Sequence, residues 1–127
     1  MIDYLAGLDM SVFVLDYDHN APSAEYLLHT HEKLFRAVRA AHPALPVVMM
    51  SRPQYRLDAD ETARRDVVRR TYENAVAAGD RNVYFLDGPA LMAVAGNDGT
   101  VDNCHPNDLG FFSMSQALYP ILAEILQ

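Results

Sequence analysis

Pro46-Val47-Val48-Met49-Met50 is five apolar residues in a row, closed by Ser51. A strand with one wet face alternates apolar and polar residues. A strand without alternation is covered on both faces, as in a parallel sheet. Two other runs share this character: Val12-Phe13-Val14-Leu15, closed by Asp16, and Val83-Tyr84-Phe85-Leu86, closed by Asp87. Each is strand-sized and β-branched or aromatic in part.

Helical patterns fill the intervals. Residues 24–41 place Leu27, Leu28, His31, Leu34, Phe35 and Val38 at helical spacing, with Ser23 as the cap and His42-Pro43 as the stop. Residues 59–78 place Val67, Val68, Thr71, Tyr72, Ala75 and Val76 on one stripe, and Gly79 is suited to end it. Asp58, Asp60 and Glu61 belong to the start of that helix, where acids suit the dipole. A last helix is predicted from Asn107 or Asp108 to Leu126, with Pro120 as a kink or break. Ile2 to Leu8 could add a helical turn or two. Strands alternating with helices predict an α/β chain with right-handed crossovers.

The bulk composition bounds the rest. A chain of 127 residues suits one domain, 1–127, with one core, and 50% hydrophobic residues exclude disorder. A net charge of −7, from 10 basic and 17 acidic residues, disfavours nucleic acid and anionic membrane as partners. No apolar run is long enough to span a bilayer. Residues 1–15 carry Asp3 and Asp9 and no basic run, so they do not read as a signal peptide. Cys104 is the only cysteine, which excludes an intrachain disulfide and leaves the compartment open.

The chemistry is concentrated in Val101-Asp102-Asn103-Cys104-His105-Pro106-Asn107-Asp108-Leu109-Gly110. An acid three residues before a histidine in a turn can hold the imidazole in one tautomer, as a general base requires. The same spacing also occurs in plain surface turns. A second cluster, Asp16, Asp18, His19 and Asn20, follows the first strand directly, on the side of an open α/β sheet where ligands bind. Asn20 could donate to an oxyanion, or could simply serve the turn before Pro22.

No serine has nucleophile context. Ser51 is followed by Arg52-Pro53, Ser11 precedes a strand, and Ser113 and Ser115 belong to the last helix. Cys104 is expected to turn away from His105, as a small buried residue. His29 and His31 face different sides of a helix and make a poor metal pair. Arg64-Arg65 and Arg69-Arg70 suit a solvated charged face. No metal or organic cofactor is implied.

Together these segments resemble the SGNH hydrolases, the GDSL-type esterases and lipases. Val12 to Pro22 is similar to their third sequence block, and Asp102 to Gly110 to their fifth. His42-Pro43 before a strand ending Ser51-Arg52-Pro53 also fits, as does Asn82 to Gly88. The resemblance implies a three-layer, flavodoxin-like parallel sheet with helices on both faces. It implies a serine esterase acting on acyl or acetyl esters, those on carbohydrates included. His105 would be the base, Asp102 its orienting carboxylate and Asn20 an oxyanion-hole donor. The family's nucleophile block and its oxyanion glycine block precede the asparagine block, and the 19 residues before Asn20 contain neither. The chain is therefore expected to correspond to the C-terminal part of such a domain, with about three of five strands and its nucleophile unknown. Little hydrolysis by the chain alone is expected. An exposed edge at Val12–Leu15 should promote homo-oligomers.

Two rival readings remain. An apolar strand followed by Asp16-Tyr17-Asp18 is similar to the opening of haloacid-dehalogenase-type phosphatases, implying Asp16 as nucleophile, Asp18 as acid, bound Mg²⁺ and a phosphate contact at Ser51. Those enzymes carry a lysine after that serine, but Lys33, the only lysine here, comes before it. Their Gly-Thr is His19-Asn20 here. The other reading is a non-catalytic binding or assembly remnant of the esterase fold.

Overall fold

The computed structural model describes residues 1–127. Five helices and three strands follow in the order α1 (Ile2–Ala6), β1 (Phe13–Asp16), α2 (Ala24–Ala41), β2 (Val47–Met50), α3 (Ala59–Ala77), β3 (Val83–Leu86), α4 (Gly88–Leu91) and α5 (Asp108–Ile125). Short 3-10 turns lie at Asp18–Asn20 and Gly96–Gly99. The strands form one parallel sheet in the order β1-β2-β3, pairing Leu15 with Met49 and Met49 with Phe85.

The central strand is the uninterrupted one. Val47 to Met50 are all buried, because helices cover both faces. On one face α2 and α3 enclose Leu15, Leu27, Phe35, Val47, Met49 and Val68. On the other face only Val48, Met50 and Leu91 are fully buried, while Val12, Val14, Leu118, Ile121 and Ile125 pack around them half-exposed.

Local signals set the helix ends. Ser23 Oγ accepts the Tyr26 N–H at 3.1 Å. Asp58 and Glu61 form a reciprocal capping box at α3. Beyond α3, Gly79 takes φ +90° as the chain turns away. Pro120 does not break α5, which continues to Ile125. Pro120 and the carbonyl its missing N–H leaves free, that of Gln116, both belong to exposed residues, where water can serve the carbonyl. The expected stripes are narrower in fact: Leu28 and Val76 are exposed, since a three-stranded sheet is too narrow to cover them.

His31 is fully buried in the larger core. Its ring stacks on Tyr17, and its Nδ1 lies 2.9 Å from Thr71 Oγ1. Nε2 has no partner. Burial lowers its pKa to about 4, against a smaller opposing pull from Glu32. Between about pH 6.5 and 4 the unfolded chain therefore binds a proton that the folded chain refuses. Stability should fall by up to about 3 kcal/mol as pH drops through that window. Urea midpoints at several pH values should show this loss in the wild type and a flatter profile in His31→Gln. Equal slopes in the two proteins would rule it out.

Candidate active site

The loops leaving β1 and β2, and the turn before α5, meet beyond the C-terminal ends of the strands. A buried carboxylate organises the first two. Asp18 Oδ2 accepts the Arg52 backbone N–H at 2.8 Å, and Arg64 Nη1 lies 3.5 Å from Oδ1. Arg64 also donates to the carbonyls of Asp18 and Ala21. This clamp fixes the turn that carries His19 and Asn20. Gly88 completes it, since a Cβ there would stand 2.1 Å from the Arg52 carbonyl oxygen.

The turn from Thr100 to Pro106 is closed by an antiparallel bridge between those two residues. Asn103 adopts φ +61°, a left-handed conformation that asparagine tolerates. It is held by Gln54 Nε2, which donates to its Oδ1 at 2.9 Å. Asn107 caps α5 through Gly110 N–H and anchors backward to the Asp98 carbonyl. Gly110 lies so close to Gly99 that a Cβ on it would stand 2.0 Å from the Gly99 carbonyl oxygen.

Inside this turn Asp102 Oδ1 accepts the backbone N–H groups of Cys104 and His105 at 3.1 and 2.8 Å. Its Oδ2 lies 2.7 Å from His105 Nδ1. The backbone N–H of His105, then its ring, hold the Asp102 carboxyl down to about 2, with the Cys104 N–H adding to them. A carboxylate on Nδ1 selects the tautomer with a free lone pair on Nε2. That nitrogen is the one able to take a proton.

His105 faces a cleft of about 250 Å³ that it shares with Asp16, His19, Asn20, Pro53 and Phe111. Asn20 and His105, 85 positions apart in the chain, thus meet one space. Asp16 lines the cleft with its surface exposed; desolvation by the surrounding protein raises its pKa, with His19 opposing and Asp18 reinforcing. A larger cavity of about 580 Å³ lies at the other end of the sheet, between α2 and α3, and includes none of these groups.

Cys104 differs from expectation. It is half-buried rather than buried, and its Sγ lies 3.0 Å from His19 Nε2. The left-handed Asn103 redirects the chain and swings the next side chain inward. His19, whose pKa is lowered by burial first and then by Arg52 and His105, lines the cleft as its place in the cluster after the first strand suggested, while its contact with Cys104 was not foreseen.

No serine lines the cleft. Ser51 is buried and accepts the Gly88 N–H. Ser113 is buried between the Leu91 carbonyl and the Val94 and Ala95 N–H groups. Ser115 bonds the Phe112 carbonyl within α5. Ser11 precedes β1, at the opposite end of the sheet.

The chain matches the model of the GDSL-like Lipase/Acylhydrolase family over residues 1–123. No curated protein matches it significantly. Among solved structures it superposes on a protein described as a GDSL-like lipase from Bacteroides ovatus, with TM-score 0.81 and 25% identity over 98% of the chain. A salicylyl-acyltransferase, SsfX3, from a tetracycline biosynthetic pathway gives 0.73 and 20% over 98%. An active-site mutant of a family two carbohydrate esterase from Clostridium thermocellum gives 0.72 and 17% over 96%. The last two likenesses speak to the fold alone. The chain spans 39%, 40% and 38% of the three proteins' lengths, respectively.

The charge on Asp102 holds the turn, so its stabilising effect should be present above about pH 4 and fade as pH falls towards 2. Carboxyl resonances followed by NMR should place the Asp102 midpoint near 2, with the His105 amide losing protection in step. A midpoint near 4 would show that the carboxylate does not hold the turn.

Proposed function

Since the chain belongs to the GDSL-like lipase/acylhydrolase family, we propose that it carries the base side of an ester-hydrolysing site. In this reading His105 Nε2 takes the proton of an attacking hydroxyl and later gives it to the leaving alcohol. Asp102 holds the ring and stabilises the imidazolium. Asn20 offers its side-chain N–H to the carbonyl oxygen as negative charge builds on it. The observation that carries the reading is the 2.7 Å contact of Asp102 with His105 Nδ1 at a cleft shared with Asn20.

The cleft, at about 250 Å³, is small and bordered by Pro53, Phe111 and Met114. Those dimensions suit a short acyl group such as acetyl better than a long chain. Acetylated carbohydrate fits that size, and its hydroxyl groups suit the polar rim at Asp16 and Asn20. The fold likeness to a carbohydrate esterase is consistent with this choice. The phosphatase alternative is weaker, because Asp18 is buried against Arg64 and the Arg52 N–H rather than open to a phosphate or Mg²⁺.

The nucleophile is not among the residues lining the cleft, which also supports a binding role without turnover. For the isolated chain, p-nitrophenyl acetate hydrolysis should barely exceed that of free imidazole. Loss of one triad member costs on the order of 10³-fold or more. The residual rate should disappear in His105→Ala. Robust turnover that survives His105→Ala would refute the assignment, and no turnover at all would favour the binding role.

Assembly belongs to the same proposal. β1 is an edge strand whose Phe13 and Val14, with Val12 just before it, are only half-buried. Another chain pairing there would cover them and bring new residues beside Asn20. Sedimentation at micromolar concentration should show self-association, weakened by Val14→Lys. A compact monomer would contradict it.

A further inference from the structure

One arrangement in the site is not used by ester hydrolysis. His19 Nε2 and Cys104 Sγ touch at 3.0 Å across 85 positions of sequence. Cys104 Sγ, a ring nitrogen of His105 and a carboxylate oxygen of Asp102 all lie within 4.8 Å of one another. The rings of His19 and His105 face each other with centres 6.1 Å apart and planes tilted by 34°. Cys104 Sγ is therefore the common neighbour of both imidazoles.

The donor types select the ligand. Thiolate and imidazole suit soft or borderline divalent cations, Zn²⁺ foremost, whereas Mg²⁺ and Ca²⁺ demand oxygen. With Zn–N about 2.1 Å and Zn–S about 2.3 Å, a nitrogen and a sulfur on one tetrahedral ion stand about 3.6 Å apart. His19 and Cys104 need to part by only about half an ångström to reach that. Two imidazoles on one ion have ring centres about 5–6 Å apart, so the observed spacing needs little closing. Asp102 already grips His105 Nδ1, leaving Nε2 as the ligand atom. A carboxylate behind a ligating imidazole is the support that metal-bound histidines commonly have. The nearby Arg52 guanidinium is 3.4 Å from Glu61, and Asp16 and Asp18 also face this end of the sheet.

We infer that His19, Cys104 and His105 form a binding site for a soft divalent cation of the Zn²⁺ type, with water in the fourth position. On binding, the Cys104 S–H bond breaks, the sulfur pair forms the bond to the metal and the proton leaves to solvent. Nothing is oxidised or reduced. Occupancy takes up the very nitrogen assigned above as the base, so the ion acts as a reversible block. That consequence rests on the hydrolase reading; the binding site itself does not.

The test is spectroscopic. The reduced chain of 127 residues is titrated with Co²⁺, which reports thiolate ligation by a near-ultraviolet charge-transfer band and tetrahedral geometry by intense visible bands. Both should saturate at one equivalent, with about one proton released per ion, and both should vanish on adding Zn²⁺. Cys104→Ser should abolish the charge-transfer band. His19→Ala and His105→Ala should each weaken binding by about tenfold or more. His19→Asn serves as a second variant, and circular dichroism verifies the fold of each. Absence of the band, or an affinity unchanged in both histidine variants, would overturn the inference. Because the readout is not turnover, it is decided whether or not His105 serves as a base.

Discussion

A buried carboxylate bears most of the architecture of this site. Asp18 is almost wholly excluded from water, and a charge in that position requires partners. It finds them in the Arg52 backbone and in Arg64, thereby joining the exit of β1, the exit of β2 and the first turns of α3. The tie continues outward. Arg52 and Gln54, fixed by their place after β2, both reach Asn103 and so steady the turn that holds Asp102 and His105. Two clusters far apart in sequence are thus registered against each other through one acid. Removing a partner from such a pair leaves an uncompensated buried charge, which costs about 3–5 kcal/mol.

Close backbone packing does the rest. Gly88 admits the 52–54 loop, and Gly110 admits the Gly99 carbonyl, each at a distance that no side chain could share. The second contact presses the first turn of α5 onto the segment leading into the base turn. Besides the Arg52 and Gln54 contacts to Asn103, order at His105 therefore comes from the Asp102 carboxylate, the Asn107 cap and the glycine contact. None of them involves the cleft itself, which leaves the face of His105 open.

Much of this was legible beforehand. Apolar runs without alternation gave three parallel strands, and the Ser23 cap, the acids from Asp58 and the Asn107-Asp108 pair marked three helix starts. Spacing allowed Asp102 and His105 to meet within a single turn, and the family resemblance favoured that over a plain surface turn. What stayed hidden depended on events at a distance. Cys104 was misread because the direction of its side chain hangs on one left-handed residue, Asn103, and that conformation is held by Gln54, 49 positions away. His19 was placed at the ligand-binding end of the sheet by following the first strand, but its contact with Cys104, 85 positions away, could not be read from the sequence. Pro120 suggested a break, yet its exposed position lets solvent serve the carbonyl it leaves unpaired. The brief helix α4 was missed, being one turn opened by Asp87 and Pro89.

The two faces of the sheet are unequally sealed, with nine buried core residues under α2 and α3 and three under α4 and α5. Cooperative units of a fold open in order of the apolar surface they keep dry. Among the three long helices, α5 is by that measure the one that detaches most readily, and it would show faster hydrogen exchange than α2 and α3. Its first turn is also the floor of the Asp102–His105 couple. The Asp102–His105 turn is therefore coupled to the least protected of the long helices: each sub-global opening of α5 would dissolve that turn while leaving α2, α3 and the central strand intact. Anything that docks against the half-covered face would slow that opening and, from a distance, lengthen the lifetime of the ordered Asp102–His105 pair.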